Sequence, residues 1–510
     1  MSLGRVHSVS LRGLSGTLVD IEADISSGLP SMRIVGLADT AVSQAEHRVR
    51  AAFANSGLSF PDTRVTVNLA PAGVPKHGTA FDAAIAVAIL RAQGAVPHEE
   101  RDADVVVIGE VSLDGRILPV RGVLPSVLAV REQTSRVIVP RANLAEGRLV
   151  DGLEVQGAAS LRDLARSLGA DLGGEALSES DEPDLQPAPS APAPEDLGDL
   201  ADVIGQPEAV EALIVAATGR HHMLMVGSPG AGKTLLAKCL PGVLPPLSRA
   251  EALEATALRS LATQTGVQSL VRLPPLEAPH QSVTITALLG GGGIPRPGVA
   301  SLSTHGVLFL DEAPEFRSEV LDSLRQSLES GRIIVHRAAA VSEFPASFQL
   351  VLAANPCPCG NAMSTDVACT CTPQVRQRYL RRLSGPLLDR IDVQVRMQRV
   401  RHIERADDVR VTSAATRERV VAARARAAAR LEPFGVAVNA HVPGDVLRSA
   451  LRLAPTATAT LDNALDRGLL TLRGYDRALR VAWSIADLAD ADRPEPAHIA
   501  QALQWRRAAA

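Results

Sequence analysis

The sequence predicts an α/β protein: an N-terminal α+β unit, a central unit built on a parallel sheet, and a helical C-terminal lid. Three observations carry this. Short β-like runs alternate with helical patterns along residues 1–170, an apolar run at 222–226 passes through a glycine-rich loop into a helix, and from about 405 the pattern stays helical to the end. At 510 residues the chain is too long for one core, so two or three domains are expected.

In the first unit, residues 1–170, β-like runs at 18–25, 64–69, 105–108 and 136–139 alternate with helical patterns at 39–56 and 80–92. Residues 1–16 mix polar and apolar residues and lack the continuous apolar core of a signal peptide. No apolar run approaches the roughly 20 residues that span a bilayer. The expected location is the cytoplasm, with no membrane partner.

Residues 171–199 hold nine acids and no base, with Pro183, Pro187, Pro189, Pro192 and Pro194 among Ala and Ser. Such a stretch buries too little apolar surface to offset its ordering entropy and is expected to be a linker. It also masks the charge of the rest: the net −4 of the chain becomes +5 once its −9 is set aside. In the second unit, 200–400, apolar runs at 306–310 and 349–353 join the one at 222–226, each long enough for a strand buried on both faces. Residues 401–510 form the lid.

The loop reads Gly227-Ser228-Pro229-Gly230-Ala231-Gly232-Lys233-Thr234. Its glycines let the backbone N–H groups face phosphates, and the following helix directs its positive end at them. In this pattern the lysine reaches the β and γ phosphates of ATP and the Thr234 hydroxyl holds Mg²⁺. Lysine occurs only at 76, 233 and 238 in a chain otherwise committed to arginine, and one of the three falls here. Asp311, ending an apolar run, suits Mg²⁺ ligation, and Glu312 beside it suits a general base that polarises the attacking water. An Asp-Glu pair alone is common; after a phosphate loop it points to hydrolysis. Asn355 is placed to orient that water. Arg390, in Gly385-Pro386-Leu387-Leu388-Asp389-Arg390, is either a surface arginine in an arginine-rich region or one that stabilises transferred phosphate charge. Arg473, Arg477 and Arg480 compete for a phosphate contact from the lid.

Together these residues resemble the magnesium-chelatase-like branch of the AAA+ ATPases. Residues 287–293, the following Pro295-Arg296-Pro297-Gly298, and Ala354-Asn355-Pro356-Cys357-Pro358-Cys359-Gly360 carry that resemblance. Across nearly the whole chain it extends to the YifB/ComM family. The resemblance implies a homo-hexameric ring, with Arg390 acting on the neighbouring subunit's nucleotide and Arg473 as a second sensor.

Four of the five cysteines, Cys357, Cys359, Cys369 and Cys371, lie within 15 residues. In a reducing compartment such clustering favours a tetrahedral Zn²⁺ site over disulfides. The C-x-C spacing is less usual than C-x-x-C, and unpaired thiols are the alternative.

In the first unit, Pro75-Lys76-His77-Gly78-Thr79-Ala80-Phe81-Asp82 and the stretch 109–124 resemble Lon-type proteases, which implies the Lon-protease-like fold. Ala80 stands where that family has its serine and Leu124 where it has its lysine, so a Ser–Lys dyad is missing. A non-proteolytic scaffold is expected.

The expected substrate is DNA, single-stranded or branched. Arg332, His336 and Arg337 lie in a strand-like stretch suited to tracking a phosphate backbone, residues 290–298 suit a second pore loop, and Arg376, Arg378, Arg381 and Arg382 add a basic cluster. Aromatics are only 2% of the chain, so base stacking is not the main mode of contact. The resemblance implies helicase or branch-migration activity in homologous recombination and natural transformation. The alternatives are a magnesium-chelatase-type ATPase subunit driving metal insertion or remodelling a protein partner and, against the missing dyad, an ATP-dependent protease.

Overall fold

The computed structural model describes residues 2–37, 39–98, 104–172, 197–263, 266–292, 295–336, 341–363, 367–400 and 411–507. The linker residues 173–196, Arg337 and the start of the lid at 401–410 lie outside them.

Two long strands open the chain, Ser2–Arg12 and Ser15–Ser26, paired antiparallel with His7 opposite Asp20. Their alternation buries Val6, Val19, Ile21 and Ala23 on one side, as a half-buried sheet requires. They sit inside a seven-stranded mixed sheet. Its order is Ser31–Val35, Arg64–Ala70, Ser15–Ser26, Ser2–Arg12, Val106–Val107, Arg136–Pro140, Glu154–Ala158. The helix Asp82–Ala92 lies across the long strands with every residue buried. Its two charged residues are buried with partners, Asp82 accepting from Arg48 and Arg91 donating to the Arg5 carbonyl, each at 2.6 Å.

In the second unit a five-stranded parallel sheet runs in the order Leu276–Glu277, Val307–Leu310, Gln349–Ala354, Met223–Gly227, Val393–Met397. Alternate residues of its strands feed two cores. Met223, Met225, Phe309 and Val351 face the helices Pro207–Gly219 and Lys233–Val243. Leu224, Val226, Leu310 and Leu352 face the helix Ser318–Ser330. The first core continues without a break into the lid through Val420, Leu431, Trp483 and Trp505, carried by Ser413–Leu431, Leu472–Leu488 and Pro496–Arg507. No described helix is long and apolar enough to cross a membrane.

The structure departs from the sequence expectations in detail. The helical pattern 39–56 is two helices, Thr40–Ser43 and Ala45–Asn55, the first capped by Asp39 accepting from the Val42 amide at 2.9 Å. Strands at 2–12, 31–35, 154–158 and 393–397 were not anticipated. The last three are five residues each, too short for a periodic pattern to stand out.

The two units touch directly. Helix Val123–Val130 packs on helix Arg249–Ala262. Buried Glu146 joins them, accepting from the Leu124 amide at 2.9 Å, from Asn143 at 2.9 Å, and from Ser260. The hairpin Arg332–His336/Val341–Pro345 abuts the turn between the two long strands, where a Cβ on Gly13 would lie 2.2 Å from the Glu343 carbonyl oxygen.

Candidate nucleotide site

The strand Met223–Gly227 ends at the loop, and the helix Lys233–Val243 begins at its lysine. Gly230 and Gly232 have φ of +77° and +89°, conformations that L side chains rarely adopt. The Lys233 ammonium is nearly buried. It donates to the Gly227 carbonyl at 2.7 Å, the Ser228 carbonyl at 3.1 Å and Asn355 Oδ1 at 3.1 Å. Burial lowers its pKa, and the carboxylates of Asp311 and Glu312 oppose that shift.

Three sheet strands therefore deliver the predicted residues to one edge. Thr234 Oγ1 donates to Asp311 Oδ2 at 2.7 Å, and the Glu312 amide donates to Asp311 Oδ1 at 2.9 Å. Glu312 is exposed and holds φ +50°, a sparsely populated conformation for a residue with a side chain. Thr234, Asp311 and Glu312 line a cavity of ≈ 340 Å³ together with Lys238, His280 and Gln281. Sequence reasoning missed His280 and Gln281, which sit in a proline-rich loop with no motif around them.

The remaining predicted residues divide. Arg390 is not extended into solvent: its guanidinium bonds Glu329 and the Pro386 carbonyl, and its side chain is 12% exposed. Of the three lid arginines, Arg477 donates to Asp392 Oδ1 at 2.5 Å and to the Arg390 carbonyl at 2.9 Å. Arg480 donates to the Val442 carbonyl at 2.8 Å. Arg473 is exposed, with no partner among the described residues. Asp392 is buried, which pushes its pKa up, but Arg477 and His221 outweigh that and hold it well below the usual carboxylate range.

The four clustered cysteines converge. Cys357, Cys359 and Cys369 place their Sγ atoms 3.4–3.6 Å apart, and all four sulfurs lie within 4.8 Å of one another. Their loop rests on the phosphate loop: a Cβ on Gly360 would come within 2.5 Å of the Pro229 ring. Cys239 is buried on the phosphate-loop helix, apart from them.

In the first unit, the two residues that the Lon-type resemblance aligns with a dyad are apolar, Ala80 half-buried and Leu124 fully buried. Lys76 is buried and donates to the carbonyls of Leu69 and Pro71, and Ser126 donates to the Gly122 carbonyl. Neither offers a nucleophile–base pair. On the hairpin, Arg332 is paired with Glu343 at 2.9 Å, while His336 is exposed. In the basic cluster, Arg376 bonds the Cys371 carbonyl and Arg382 bonds Pro314 and Glu315, which leaves Arg378 and Arg381 exposed.

Three family models match the chain. They are described as magnesium chelatase, subunit ChlI, over residues 199–405; subunit ChlI of Mg-chelatase, over 21–143; and the ChlI C-terminal part, over 410–506. An uncharacterized protein of Mycobacterium tuberculosis is 47% identical over the whole of both chains. Competence protein ComM of Haemophilus influenzae is 39% identical over 99% of this chain and 98% of its own. YifB of Escherichia coli is 37% identical over 99% and 97%. A Lon protease of Trichlorobacter lovleyi is 28% identical over 28% of this chain and 18% of its own.

Proposed function

The chain belongs to the magnesium-chelatase-related family that includes ComM and YifB, and from that premise we propose that it hydrolyses ATP as a ring-forming cytoplasmic motor acting on single-stranded or branched DNA. The observation that carries the hydrolysis is the convergence of Lys233, Thr234, Asp311, Glu312 and Asn355 on one sheet edge. Lys233 binds the β and γ phosphates. Thr234 and Asp311 would hold the Mg²⁺ that accompanies ATP, and that ion supplies neutralisation of phosphate charge. Their existing 2.7 Å contact puts two oxygen ligands side by side, so the residues fit the group. Glu312 takes a proton from the attacking water as its oxygen bonds the γ phosphorus and the bond to the ADP oxygen breaks. Asn355, already on Lys233, orients that water.

Two arginines complete the site in a ring. Arg390 leaves Glu329 and reaches the neighbour's γ phosphate, where it stabilises developing charge. Arg473, exposed at the start of Leu472–Leu488, contacts phosphate from the lid.

The cysteine cluster fits Zn²⁺. Four sulfurs at about 2.3 Å from one ion would stand about 3.8 Å apart, close to the spacing present. Bound there, zinc would supply rigidity to the loop on which Pro229 rests.

Support for DNA comes from full-length similarity to the competence protein and from the exposed basic residues His336, Arg378 and Arg381. The expected activity is helicase or branch migration in recombination. The test is ATP-dependent unwinding of forked and four-way DNA by the purified protein, with Lys233→Ala as control. Hydrolysis that DNA does not stimulate, together with no strand displacement, would remove DNA as the substrate.

A further inference from the structure

A cavity of ≈ 280 Å³ lies where the first unit meets the two hairpins of the second. Its walls include Ala80 and Ser126 of the dyad-less cleft, Pro295 and Arg296 of the hairpin Gly290–Gly291/Arg296–Pro297, and Ser342 of the other hairpin. Arg12, Arg121 and Arg296 all face it.

Arg121 is unlike the other arginines of the protein. Its Nε and Nη1 are both buried without a hydrogen-bond partner, and no ion pair involves it among the described residues. Arg259, Arg390 and Arg430 each leave only Nε unpaired and bond through their terminal nitrogens. A buried N–H left unpaired costs roughly 1–3 kcal/mol. The nearby charge makes matters worse: burial and the like charge of Arg296 both lower the pKa of Arg121. Among the described residues, no carboxylate pairs with Arg121. Glu110 faces the cavity but accepts from Thr79 and interacts with Arg48, and His77 is paired with Asp39 at 3.4 Å.

Two guanidinium groups lining one half-open cavity match the oxygens of a phosphate, which a planar fork binds through paired N–H donors. We propose that this cavity is a phosphate-binding site in which Arg121 and Arg296 grip one backbone phosphate of a DNA strand, with Arg12 at its rim. The degenerate cleft then binds a polyanion without performing chemistry on it. A single ligand would touch both units, since Arg12 and Arg121 belong to the first and Arg296 to the second. The phosphate chemistry stands on this geometry alone, whereas DNA as its source rests on the motor function proposed above.

The test uses the full chain carrying Lys233→Ala, which silences the phosphate loop, with Arg121→Gln and Arg296→Gln added singly and together. The first probe is a labelled 20-nucleotide single strand, read by anisotropy over a range of salt. Each arginine substitution is expected to weaken binding and lower the salt slope by about one. The second probe is inorganic phosphate, read as a rise in melting temperature that the substitutions abolish. If the parent binds no DNA yet phosphate protects it through Arg121, the phosphate site stands and the DNA motor falls. If the double variant keeps the affinity, the slope and the phosphate-induced shift, the site is overturned. Arg296 is exposed on a hairpin, so its variant reads the site even if Arg121→Gln unfolds the interface.

Discussion

Lys233 bonds two loop carbonyls and Asn355, which fixes its ammonium against the loop. Lys233→Ala should abolish ATP binding, measured by fluorescent-nucleotide titration. Glu312→Gln should retain binding and slow hydrolysis by about 10²–10⁴-fold, because only proton transfer is lost. His222 supplies a pH prediction. Its Nδ1 accepts from the Leu350 amide at 3.0 Å, which requires a neutral ring, and burial, opposed by Asp392 and reinforced by the charges of Arg477 and Arg220, lowers its pKa to about 4. The unfolded chain binds the proton near 6.5, so between the two values the unfolded state holds more protons. Stability from this residue is therefore complete above pH 6.5 and falls as pH drops toward 4, by on the order of 2–3 kcal/mol. Denaturant unfolding at pH 7 and pH 4.5 should show that fall, and His222→Gln should flatten it. At this scale the phosphate loop and Asp311–Glu312 were legible because phosphate chemistry demands fixed residue types in adjacent positions. His280 and Gln281 were not, since nothing local marks a loop residue that tertiary packing turns toward a cavity.

Among the elements, the segment carrying Arg390 is held by the lid as well as by its own neighbours. Arg477 grips the Arg390 carbonyl and Asp392, and Arg506 bonds the Ile391 carbonyl and lies 3.9 Å from Asp389. A shift of the lid would thus move Arg390. Arg477→Ala leaves Asp392 buried with only His221 as a partner, and should cost about 3 kcal/mol in denaturant unfolding. Arg477 and Asp392 are 85 residues apart, which is why sequence reasoning treated Arg477 only as a rival sensor. The cysteine cluster is a second such device. If zinc braces the phosphate loop through Gly360 and Pro229, Cys359→Ser should lose zinc by elemental analysis and weaken ATP binding. Unchanged nucleotide affinity in the zinc-free variant would limit the metal to local folding. The cluster itself was legible from four cysteines in 15 residues. Its contact with the phosphate loop was not.

For the whole molecule, the ring proposed above makes a mixing prediction. Lys233→Ala and Arg390→Ala chains should each be inactive alone, the second slowed by about 10³-fold or more. Mixed, they should recover part of the ATPase, since some interfaces pair an intact loop with an intact arginine. No recovery despite co-elution at ring mass would place Arg390 in its own subunit's chemistry. The sequence by itself determined the α/β class, the glycine-rich loop with its acidic pair, and the cysteine cluster. Each of these is written in contiguous residues whose spacing is the chemistry. Only the tertiary structure decided that Arg390 rests on Glu329, that Arg332 pairs with Glu343, and that Arg121 and Arg296 line one cavity. Those outcomes depend on which charges packing brings together across segments distant in sequence, and the order of the residues along the chain carries no record of that.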